Sequence, residues 1–83
     1  MKKIWFDSAN EIGFDSLETA IKSAESYLGQ KYNTRTMKVA NYEYVVSCTS
    51  KDDARYVENF YIFEIPICET VEEYKQEMKK YED

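Results

Sequence analysis

Cys48 and Cys68 are the only strong nucleophiles in a chain that contains no histidine. A catalytic thiol needs a base, a cation or a helix N-terminus to lower its pKa. Cys68 stands just before a segment with helical spacing, which would help, but the adjacent Glu69 opposes it because a neighbouring negative charge disfavours the thiolate. Cys48 lies on the apolar phase of an alternating segment, where cysteine behaves as a small hydrophobe. The missing imidazole also removes the usual general base near neutral pH and the commonest metal ligand. Two cysteines alone do not supply the four closely spaced ligands of a structural zinc site. Asp52-Asp53 read as turn residues rather than a glycosidic acid pair, and Gly13 and Gly29 stand alone, so no glycine-rich phosphate loop is present. These residues point to a non-enzymatic protein without metal or cofactor.

The pattern for binding is richer. Lys31, Arg35 and Lys38 lie near Tyr32, Tyr42 and Tyr44, and interleaved bases and aromatics are how single strands are held. Three cations make no stripe, however, and a net charge of −5 repels phosphates, so neither direct nucleic-acid binding nor an anionic membrane is expected. Met1 to Tyr56 hold eight acids and eight bases, so the whole excess falls in the last third. There Glu69, Glu73 and Glu77 recur every four residues, which predicts an acidic column on the solvent side of a helix facing a partner with a basic surface. Helix-dipole preference alone also favours acids near the start of that helix and Lys79 and Lys80 near its end. Eight tyrosines add large, rigid area with a polar tip, the kind of side chain over-used at interface hot spots. Tyr32, Tyr42 and Tyr56, near predicted strand ends, are the candidates for exposure and complete the expected partner-binding set.

Eighty-three residues and 9.9 kDa make a single domain, 1–83, with one modest core. No run approaches the roughly 18 apolar residues of a membrane span, and two cysteines without a signal-peptide pattern predict reduced thiols in a soluble, cytoplasmic protein.

A coarse pass gives the elements that must position these groups. Lys2 to Asp7 reads as a strand and Ser8 to Gly13 as its connection. Asp15 with Glu18 forms a capping box, after which Leu17, Ala20, Ile21, Ala24 and Leu28 recur on one helical stripe, ended by Gly29 in left-handed geometry. Thr34 to Ala40, a turn at Ala40-Asn41, and Tyr42 to Thr49 form a hairpin whose second strand alternates at period two. Arg55 to Ile65 carries apolar groups in both phases, the mark of a central strand with both faces at least partly covered, and Pro66 ends it. Thr70 with Glu73 forms a second capping box, leading a helix whose apolar stripe is Val71, Tyr74, Met78 and Tyr81.

The order strand-helix-strand-strand-strand-helix predicts an α+β fold with a four-stranded, mostly antiparallel sheet and two helices. The first strand could lie beside either the second or the fourth. In outline, through KKIWFD, FDSLETAIKSAESYLG, the Tyr-rich strands and ETVEEYKQEMKKYED, the chain resembles small acidic inhibitors of phages and mobile elements of the anti-CRISPR type. That resemblance implies a protein-binding module that occludes a nucleic-acid-binding surface of its partner. The alternative is a self-associating domain that forms a homodimer through a sheet edge or a tyrosine-bearing face.

Overall fold

The computed structural model describes residues 2–79. The chain runs β1 (Lys2–Asp7), β2 (Ile12–Phe14), α1 (Leu17–Leu28), β3 (Tyr32–Ala40), β4 (Glu43–Ser50), β5 (Val57–Ile67) and α2 (Val71–Met78). The α+β class holds, but the sheet has five strands, not four, in the order β2-β1-β5-β4-β3, and every pairing is antiparallel. The added strand is β2, inside the segment expected to be only a connection. It pairs Trp5 with Phe14 and Asp7 with Ile12. The first strand takes its place beside the last one, β5, which is therefore central as its composition predicts.

Strand alternation settles which side each helix covers. Lys3, Trp5 and Asp7 point to the same side of β1. The Asp7 carboxylate accepts a hydrogen bond from Ser23 Oγ of α1 at 3.0 Å, and Lys3 Nζ lies 3.4 Å from Glu77 of α2, so both helices lie on that one face. On it, Ala20, Ala24 and Leu28 pack against Val46, Cys48 and Ile62 as the buried core, with Trp5, Phe14, Leu17, Ile21, Tyr44 and Phe60 around them. The two alanines let the helix axis approach the sheet closely, as their place on the apolar stripe implied.

Asp7 is fully buried and organises one end of this layer. Its carboxylate accepts bonds from the Ala9 amide at 2.9 Å and from Asn10 Nδ2 at 2.8 Å, while Asn10 Nδ2 also reaches the Ser23 carbonyl at 3.2 Å. The β1–β2 turn is thereby tied to α1. Within that turn Glu11 takes a φ of 59°, a left-handed conformation that bulky side chains rarely adopt.

Several expected boundaries shift by a residue or two. The cap of α1 is Ser16, whose hydroxyl accepts from the Thr19 amide, rather than Asp15. Gly29 stays right-handed at φ −63°, so left-handed geometry does not end the helix. β5 runs through Pro66 to Ile67. The Glu64 amide donates to the Tyr42 carbonyl, so the same-parity position 66 also faces the β4 side, where β4 has already ended and no ladder bond is lost. No helix among the described residues is long and apolar enough to cross a membrane.

Candidate functional site

The expected acidic column does not stand in solvent. Thr70 caps α2 by accepting from the Glu73 amide at 3.2 Å, and Glu73 Oε2 accepts from the Glu69 amide at 3.1 Å, so Glu73 serves the helix start. Glu77 is buried against the sheet beside Lys3. Of the three, Glu69 is exposed. The apolar stripe assigned to this helix is correspondingly rotated: Val71 is 67% and Tyr74 50% exposed, while Met78 is half-buried and Tyr81 lies outside the described residues. The reason is electrostatic. Lys3 already pairs with Glu64 at 3.2 Å on the helix-bearing face, and the second carboxylate on that cation is Glu77. The Glu64 hydrogen bond, with the charges of Glu64 and Glu77, holds the Lys3 ammonium above its ordinary pKa against partial desolvation.

This seating opens a cleft of about 300 Å³ between α2 and the β4–β5 junction. Tyr42, Tyr74 and Met78 wall it, Pro66 forms its apolar floor, the backbone of β5 at 63 and 65 borders it, and Glu43 and Glu64, the latter paired with Lys3, supply its carboxylates. The cleft exists because β4 begins at Glu43 while β5 continues beyond it, leaving the Pro66 edge unpaired on that side.

The three tyrosines are not gathered into one surface. Tyr42 walls this cleft. Tyr32 and Tyr56 stack at the other end of β4, with ring centroids 6.2 Å apart and planes 14° from parallel. The Tyr56 hydroxyl donates to Glu58 Oε2 at 2.9 Å, which keeps its proton and raises its pKa. About eight residues of strand, roughly 26 Å, separate the two places. Beside the stack lies an open depression of about 550 Å³ lined by Lys31, Lys51, Asp52 and Ser50, with no converging apolar wall.

Both thiols are held above the ordinary thiol pKa. Cys48 is buried, and burial followed by the charge of Glu58 pushes its pKa up. Cys68 is raised by desolvation and then by the charges of Glu73 and Glu77. Among the described residues, no three cysteine, aspartate or glutamate side chains converge to hold a metal ion.

The second notable surface is the opposite side of the sheet. Alternation places Ile4 and Phe6 of β1, Tyr61, Phe63 and Ile65 of β5, Val45 of β4 and Met37 of β3 there, with Phe6 and Phe63 in ring contact at 5.4 Å. No described helix covers them. The double-sided apolar pattern of β5 implies faces at least partly covered; on this side Val45 is buried and Phe63 and Ile65 are half-buried by their own neighbours, while Tyr61 and Met37 stand exposed. Sequence reasoning missed Glu43, Glu64 and Met78 as cleft residues, because their meeting depends on where β4 stops. Comparison of the chain with protein-family models, with curated proteins and with solved structures finds no match.

Proposed function

We propose that this chain is a non-enzymatic protein-binding module that accepts a basic segment of another protein, bearing an apolar anchor, in the cleft between α2 and the β4–β5 junction. The observation that carries this reading is the juxtaposition of Tyr42, Tyr74 and Met78 with Glu43 and Glu64 around an apolar floor. An apolar anchor enters such a cleft while its flanking Lys or Arg meets the carboxylates, so contact area supplies affinity and charge supplies encounter rate and register. The net charge of −5 supports a basic partner at longer range. A surface that binds nucleic acid is the commonest basic surface to block, and blocking it is the inhibitory activity we assign.

Affinity capture with the wild-type chain and with the Tyr74→Ala/Glu43→Lys double variant tests this. Both positions lie on the cleft wall and not in the core, so the variant should melt within a few degrees of wild type. The expected partner is retained by the wild type, lost from the double variant, and excluded once it is loaded with its own nucleic acid. Equal retention by the variant removes the cleft from the reading. Binding that ignores the nucleic acid removes the inhibitory role.

A further inference from the structure

We infer that the bare sheet face docks a second copy of this chain, the two sheets stacking face to face with α1 and α2 outermost. The shape of the chain is the first reason. Its radius of gyration is 14.5 Å, against roughly 12 Å for a compact domain of this length. Its accessible surface is 5929 Å², where about 5,200 Å² is expected. A flat two-layer body, 48 × 24 × 16 Å, leaves one broad sheet face without a layer over it among the described residues.

Area is the second reason. β5 spans about 36 Å and four neighbouring strands about 19 Å, so the face offers roughly 700 Å², near the roughly 800 Å² each partner buries in an interface of standard size. The third is charge. Although the chain is acidic, the described side chains of this face carry one charge of each sign: Glu43, opposite Phe63 at the margin of the apolar half around Phe6, Tyr61 and Ile65, and Arg35 at the border of the half filled by Asn33, Ser47, Thr49 and Asn59. A near-neutral face can meet its own copy without like-charge repulsion, and a two-fold axis through it makes the contact self-complementary.

The sheet edges are poorer candidates for self-association. β2 is three residues long, and β3 carries Arg35, Lys38 and a register shift between Lys38 and Ala40, the devices by which edges resist pairing. Stacked sheets settle about 10 Å apart with interdigitated side chains, which Phe6, Tyr61 and Phe63 are large enough to fill.

Sedimentation velocity from about 1 to 100 µM, combined with hydrogen exchange, tests the assignment. The expected species is twice 9.9 kDa at the upper concentrations. Tyr61→Glu buries a carboxylate in the contact and should weaken the dimer by at least about 100-fold. Because Tyr61 is 44% exposed, the variant should keep its circular dichroism. Met37→Lys, at 41% exposure, is the second variant should the first unfold. A wild type that remains monomeric at 100 µM overturns the proposal, as does a dimer indifferent to both folded variants. Slowed exchange of the outward amides of β3 on dimerisation would also overturn it, by placing the contact at the edge.

Discussion

Lys3 of the first strand and Glu77 of the last helix meet at 3.4 Å, and this contact decides how α2 is seated. Glu77 is 5% exposed, and the Lys3 ammonium is one of the groups that offset the cost of burying its carboxylate.

Lys3→Met should therefore loosen α2. Removing one partner of a fully buried pair costs about 3–5 kcal/mol, but the Lys3 side chain is 34% exposed and screened, so about 1–2 kcal/mol is expected here. Thermal unfolding by circular dichroism measures it. The pH dependence has a fixed sign. Since the folded pKa of Lys3 lies above its ordinary 10.5, the stabilisation is complete below that pH and is lost as pH rises through the folded value. The wild type should lose stability in that alkaline window and Lys3→Met should lose less; parallel curves would contradict the assignment.

Asp7→Ala should be the most damaging polar substitution. It removes at once the acceptor shared by the Ala9 amide, Asn10 Nδ2 and Ser23 Oγ and empties a fully buried position, leaving Asn10 and Ser23 bonded only to each other. A loss of about 3 kcal/mol or more in urea unfolding is expected from several donors left unsatisfied at once. Ser23→Ala, which removes one bond, should cost about 1 kcal/mol.

Gly13 leaves room for the far end of the Ile4 side chain, which would have to rotate away from any Cβ there. A Cβ placed there collides with the Ile4 Cδ1 methyl across the β1–β2 pair. Gly13→Ala should cost about 1 kcal/mol, and Ile4→Val in the same molecule should return part of it by removing the colliding methyl. Additive losses in the double-mutant cycle would show that the collision is relieved elsewhere.

The thiols should be slow. Cys48 should react with a disulfide reagent only after denaturation, and Cys68 should react sluggishly at neutral pH, because both pKa values are raised. Fast native labelling of either would reopen the question of thiol chemistry.

Periodic segments were the readable part of this fold. The stripe Ala20, Ala24, Leu28 and the alternation Val46, Cys48 lie in the core as their spacing demands, and Thr70 caps α2 as the box pattern requires. β2 was invisible because three residues with a glycine in the middle present no period to detect. The rotation of α2 was misread for a different reason: Val71 and Tyr74 outrank Glu77 on any hydrophobic scale, yet a cation on a distant strand reverses their order. The candidate cleft was legible only in Tyr42, since its carboxylates and floor meet through strand lengths that no local pattern encodes.

Pro66 sits in β5 with its ring toward the side where β4 has ended. An incoming peptide that tried to extend the sheet there would find no amide proton to accept. The Pro66 carbonyl can still accept there, but the two-way exchange that makes many strand-adding sites indifferent to sequence is broken by the lack of a single hydrogen atom, and any recognition at this notch would lean the more on side chains.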